Sequence, residues 1–273
     1  MQTHKPVHID KNFLVVSSFN NDLSWIKNRT DNYCIYERGA QNLDSYGLKS
    51  DSFFTSPNVG YNIYDYLTYI IDNYNALPYC ILFIKGNIFP RHISEEYFDM
   101  ISNSNIFMPI FEPIRHIESY PMSLILNDTS YLELNTSWYL NHHSVKYFNS
   151  FNDFLKFIYV DPVLPKYLNF APGANYIVPR QNILRIPRIF YENLRLFISY
   201  TAFPGEAHIL ERALTTIWTT NYTLSKNILN NLDYLNDKPI LKQRIRTWRD
   251  YMDAAEYRLK LMGEHLLKNL HFW

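Results

Sequence analysis

The sequence predicts an α/β protein with a mostly parallel sheet flanked by helices. Three observations carry that expectation. Residues 79–84 form an unbroken apolar run, as expected of a strand buried on both faces. The segment before it is periodic instead: Ile63, Tyr66, Leu67, Ile70, Ile71 and Tyr74 fall on one helical stripe. A β-branched run at residues 13–16 precedes both, so strand, turn, helix and strand follow in the order of a parallel βαβ unit.

In chain order, Phe13, Leu14, Val15 and Val16 make the first strand, and the polar residues 17–22 end it. Asp22 stands where it would cap a short helix through Leu23, Trp25 and Ile26. Residues 33–36 read as the second strand, closing on Glu37, Arg38 and Gly39, and residues 40–55 carry no clear period. Asn58, Val59 and Gly60 form a turn ahead of the long helix, which Pro78 stops before the third strand. Ser94 is placed as the N-cap of a helix running to Ile101. Residues 102–170 are rich in aromatics and prolines, and no element is assigned there. Residues 175–178 read as a strand, and residues 187–200 and 206–218 as helices.

With 273 residues and 47% apolar content the chain can bury one sizeable core. Its 7 glycines and 19% charged residues exclude a linker-rich or disordered protein. A net charge of zero supplies no overall field to attract nucleic acid. Cys34 and Cys80 lie in apolar runs, which favours buried free thiols over a disulfide. The N-terminus shows no apolar leader and no stretch approaches membrane-spanning length, so a cytoplasmic location is expected.

The tail differs in character. Leu241, Ile245, Trp248, Met252, Ala255, Leu259, Met262 and Leu266 alternate at spacings of four and three, the seam of a long amphipathic helix. Lys242, Arg244, Arg246, Arg249, Arg258, Lys260 and Lys268 make its other faces basic. The expected division is a domain over residues 1–225 and a helical extension over 226–273. That extension would pair with a second copy or touch the inner membrane face.

The sequence also carries polar triplets where such folds expose chemistry. Lys85-Gly86-Asn87 closes the third strand, and Arg91 and His92 follow within one loop. Ligands of open α/β sheets gather at the carboxyl ends of the strands, so these residues suggest a site for a nucleotide or sugar phosphate. In this order of elements the chain resembles the nucleotide-binding half of GT-A glycosyltransferases. From Asn58-Val59-Gly60 through Tyr66-Leu67 and Ile70-Ile71 to Phe83-Ile84-Lys85-Gly86-Asn87 and His92, it resembles more closely an uncharacterised family of fungi, bacteria and viruses. Residues 172–178, residues 188–191 and the stretch from Pro204 to Arg212 continue the resemblance, which spans about residues 12–220. It implies a GT-A-like, Rossmann-type transferase of unknown substrate, taking a nucleotide-sugar donor and a glycan acceptor in surface polysaccharide, capsule or lipopolysaccharide synthesis. The alternative it leaves is a catalytically silent module that binds nucleotide or carbohydrate.

Two departures matter. The Asp-x-Asp that holds a divalent metal in the common GT-A pattern is replaced here by Lys85-Gly86-Asn87. The Arg-Glu that follows Asn-Val-Gly in the uncharacterised family is replaced by Tyr61-Asn62. Side-chain cations would then meet the leaving diphosphate, with Lys85, Arg91 and His92 as candidates. No cofactor is expected, and a divalent metal stays open as an alternative. Donor contacts are assigned to Ser18, Asn20, Glu37, Asn58, Gly60, Asn62, Lys85, Gly86, Asn87, Arg91 and His92. Gly86 is expected to let backbone N–H groups approach phosphate, and Gly60 to begin a helix N-terminus that attracts anions. His208, Glu211 and Arg212 share one helical face at i, i+3 and i+4. Glu211 is expected to be the general base, with Arg212 orienting it. A surface Glu-Arg pair is the plainer alternative, and a solvated strand-end lysine is the plainer alternative for Lys85.

Overall fold

A computed structural model describes residues 6–40, 46–112, 123–125, 131–135 and 143–241. The strands are β1 (Phe13–Ser18), β2 (Tyr33–Glu37), β3 (Phe53–Thr55), β4 (Cys80–Lys85), β5 (Met108–Pro109), β6 (Ser123–Ile125), β7 (Tyr131–Leu134), β8 (Tyr167–Asn169) and β9 (Tyr176–Pro179). The helices are α1 (Ser24–Lys27), α2 (Tyr61–Asp72), α3 (Glu95–Ile101), α4 (Phe151–Ile158), α5 (Arg180–Leu184), α6 (Arg188–Ile198), α7 (Gly205–Thr219) and α8 (Lys226–Leu229). The main sheet has the order β3-β2-β1-β4-β9-β5, and β6, β7 and β8 make a small second sheet.

The expected parallel arrangement holds for β3, β2, β1 and β4, each parallel to its neighbour. The strand at residues 175–178 is present as β9, but it runs antiparallel to β4. Chain direction therefore reverses beside the strand that carries Lys85.

Alternation along the strands divides the core into two layers. Val15, Phe83 and Tyr176 point toward α2, α6 and α7, where Phe83 stacks on Trp218 at 5.8 Å. Leu14, Val16, Leu82 and Ile84 point the other way, toward Ile26 of α1 and Phe98 of α3. The same alternation places Ser17 and Lys85 on the α2 face, in register with one another, and Ser18 and Glu37 on the α1 face.

Helix starts follow their local chemistry. Ser94 Oγ accepts from the Tyr97 amide at 3.1 Å, and Asp22 accepts from the Ser24 amide at 2.9 Å. α2 ends at Asp72, two residues before the last apolar position of the sequence stripe, and a short 3-10 turn (Tyr74–Ala76) takes up the rest. Residues 102–170, left unassigned from sequence, contain α4, the small sheet and β5. Cys34 and Cys80 are buried free thiols.

The compact unit runs to Leu241, beyond the expected boundary at 225. Ile228, Leu232 and Leu235 are buried, and Asn193 of α6 donates to the carbonyls of Ile228 and Asn230 at 2.6 and 2.8 Å. The predicted tail helix lies outside the described residues. Among the described residues no helix is long and apolar enough to cross a membrane.

Candidate active site

Lys85 ends β4 on the face that α2 and α7 cover, and its amide donates to Asn175 Oδ1 at 2.9 Å. Burial pushes its ammonium below the ordinary lysine range, and Arg91 and Arg38 push in the same direction. Glu211 opposes them. Lysine and carboxylate therefore share one electrostatic environment, although they lie far apart in sequence.

α7 brings that carboxylate. Its start is pinned by buried Glu206, whose Oε1 accepts from the amides of Lys146 and Tyr147 at 2.7 and 2.6 Å, and whose Oε2 accepts from the Tyr200 hydroxyl at 2.6 Å. One turn further on, Glu211 Oε1 accepts from the Gly173 amide at 2.6 Å and Oε2 from Arg212 Nη1 at 3.1 Å. His208 Nδ1 stands 3.9 Å from Oε2. Burial by itself would raise the Glu211 carboxyl, but His208, Arg212 and Lys85 together pull it down to about 2. Burial lowers His208, against the pull of Glu211, so the imidazole is neutral at pH 7. Arg212 also donates to buried Glu133 of β7 at 2.8 and 3.0 Å and lies 4.6 Å over the Phe170 ring. It is anchored on both sides rather than placed to orient a base alone.

The loop over residues 171–175 holds these parts together. Gly173 has φ +89°, and a Cβ there would lie 2.7 Å from His92 Cε1, so only glycine fits. Its carbonyl accepts from Asn62 Nδ2 of α2 at 3.0 Å. Asn62, Lys85, His92, His208, Glu211 and Arg212 are thus gathered around one loop, as six of the expected site residues. Gly173 and Asn175 were not among the expected site residues. Their signal was a Pro-Gly turn immediately ahead of a strand.

Other expected residues sit elsewhere. Ser18 and Glu37 are buried on the α1 face, where Glu37 Oε1 accepts from the amides of Asn20 and Gly39 at 3.0 and 2.7 Å and ties two loops together. Asn58 and Arg91 are exposed, and Asn87 is half-buried. Two backbone expectations need correction. The Gly86 amide donates to the Ser17 carbonyl at 2.8 Å, so it is a sheet group, and this glycine is needed because Asn21 packs where a Cβ would lie. The Gly60 amide likewise donates to the Thr201 carbonyl at 3.1 Å, and its φ of +61° serves close packing against Ile198 of α6. Neither N–H remains for a phosphate.

A second charged cluster was missed. Asp65 of α2 is fully buried and accepts from the hydroxyls of Ser17 and Ser56, with Arg38 Nε at 3.3 Å. Burial raises its carboxyl to about 7, against Arg38 and the two hydroxyls, and Glu37 adds to the rise. Its sequence signal was an acid beside the apolar stripe of a helix, flanked by Tyr64 and Tyr66. Among the described residues no group of three His, Cys, Asp or Glu side chains is arranged to hold a metal ion. Two surface cavities lie away from this edge, one lined by Lys156, Tyr159, Asp161 and Pro162 and the other by Arg185, Ile217, Thr220 and Tyr222 among others.

A family model described as "Protein of unknown function (DUF3431)" matches residues 14–230 of the chain. No curated protein and no solved structure matches it.

Proposed function

The chain belongs to the DUF3431 family of unknown function, and on that premise we propose from the site itself that it is a GT-A-like glycosyltransferase moving a sugar from a nucleotide-sugar donor to a glycan acceptor. The observation that carries this reading is Lys85. Strand order reverses between β1 and β4, and ligands of doubly wound sheets bind in the crevice at such a point, outside the carboxyl ends of the strands. Lys85 ends β4 there, with Glu211 balancing its charge.

In this reading the donor's diphosphate lies against Lys85, whose ammonium offsets the charge that develops as the sugar–phosphate bond breaks. A carboxyl pulled down to about 2 has little proton affinity at neutral pH, which favours another base over Glu211 in this reading. That role passes to His208, a neutral imidazole with Nδ1 3.9 Å from Glu211, which accepts the acceptor hydroxyl's proton as the new glycosidic bond forms. The reading needs no metal on the diphosphate. The acceptor is a surface glycan, and the basic heptad tail holds the enzyme as a dimer or against the inner membrane face in the cytoplasm.

A second reading has its own support. Both oxygens of Glu211 are engaged by Gly173 and Arg212, as suits a structural anchor in a binding module that no longer turns over. A panel of nucleotide sugars with release of nucleoside diphosphate as readout separates the two. The transferase reading expects turnover that falls about 100-fold or more in His208→Gln. Binding of diphosphate without release from any donor would leave the module.

A further inference from the structure

We propose that Arg38 is a second phosphate-binding cation at this end of the sheet, one that shares its guanidinium between the Asp65 carboxylate and an incoming phosphate. The transferase reading supplies the identity of the leaving group, but the anion site stands without it.

Asp65 gathers the carboxyl ends of three strands: Ser17 is the penultimate residue of β1, Arg38 follows β2 and Ser56 follows β3. Arg38 Nε stands 3.3 Å from it, and the Arg38 amide is fixed on the Ser18 carbonyl at 3.0 Å. A guanidinium is a planar fork with two usable edges: Nε and one terminal nitrogen share the edge turned to Asp65, and the end between the two terminal nitrogens is left for a second anion. Among the described residues those nitrogens have no partner. The Arg38 side chain is 11% exposed, so the fork is mostly desolvated but reachable.

Lys85 lies on the same sheet face two strands away, about 10 Å in backbone terms. Two long side chains close that gap, and Arg38 is near enough to help depress the Lys85 ammonium. Two neighbouring cations, each backed by its own carboxylate, form a receptor for a dianion. Asp65 backs Arg38 and Glu211 backs Lys85.

Sharing Arg38 moves a proton. Asp65 is faced by Arg38, Glu37, Cys34 and Tyr36 from β2 and its end, and by Tyr66 of its own helix. Burial keeps the thiol and both phenols neutral, which leaves Arg38 as the main influence holding Asp65 ionised. A phosphate that shares Arg38 weakens that hold, so Asp65 takes a proton from solvent as the anion binds near neutral pH.

Calorimetric titration of the full chain with inorganic pyrophosphate tests this. Arg38→Gln is expected to lower affinity about tenfold or more, while Asp65→Asn at pH 8 stays within about threefold of wild type. Measured at pH 7.5 in buffers of different ionisation heat, wild type is expected to take up more protons per pyrophosphate than Asp65→Asn, a difference that cancels the ligand's own protonation. Arg38→Gln binding like wild type, or no pyrophosphate binding by wild type, would overturn the assignment, as would equal proton uptake in wild type and Asp65→Asn. The proton count does not need Arg38→Gln to fold. Arg38-dependent pyrophosphate binding together with no sugar transfer would overturn the transferase reading alone.

Discussion

Asp65 is a buried and Glu211 a largely covered carboxyl, each behind a cation at the carboxyl ends of the same strands, yet they titrate in opposite directions. Glu211, pulled down to about 2, contributes stability that is complete above the unfolded value of 4.5 and is lost as pH falls toward 2. Glu211→Gln should therefore cost about 2–4 kcal/mol at pH 7, with the gap to wild type closing in acid. Asp65, raised to about 7, binds a proton in the folded state that the unfolded chain has released above 3.8. Wild type should lose stability as pH rises from about 4 to 7, and Asp65→Asn should remove that slope. Urea denaturation from pH 3 to pH 8 reads both effects. A parallel response of the two variants would mean that the electrostatics of this edge have been misassigned.

At the scale of elements, the site depends on a tight loop. Gly173→Ala adds a methyl at φ +89°, 2.7 Å from a carbon of the buried His92 ring. It should destabilise the fold by about 2 kcal/mol or more and weaken any ligand that leans on Lys85, both read from unfolding curves with and without ligand. The long amphipathic and apolar elements were legible beforehand, because β1, β2, β4, α2, α6 and α7 state their period over several residues. α4 was equally legible and was passed over: Phe151, Phe154, Leu155 and Ile158 make a helical stripe, and Ser150 caps it. The strands β5 to β8 are two to four residues long, too short to state a period, and β5 and β8 pair with strands distant in sequence. The site divides the same way. His208, Glu211 and Arg212 share a helix, and their common face follows from spacing. The Asp65–Arg38 pair joins a helix to a strand end across the sheet edge, and only the fold reveals it.

For the whole molecule, the burial of Ile228, Leu232 and Leu235 makes residues 226–241 part of the core rather than a separable extension. A chain cut after Ser225 should be less stable than one cut after Leu241 by about 5 kcal/mol or more, as three apolar side chains and the Asn193 bonds go. Thermal unfolding of the two truncations distinguishes them, and equal melting would return the boundary to 225. The proposed site draws on distant parts of the chain: β1, α2, β4, the loop before β9 and α7. The most direct measurement of its purpose is calorimetric titration with uridine, guanosine and cytidine diphosphates, comparing wild type with Lys85→Met. The account predicts that at least one diphosphate binds wild type and loses about tenfold or more in affinity when Lys85 becomes methionine. Undiminished binding by the variant, or no binding by wild type, would contradict it.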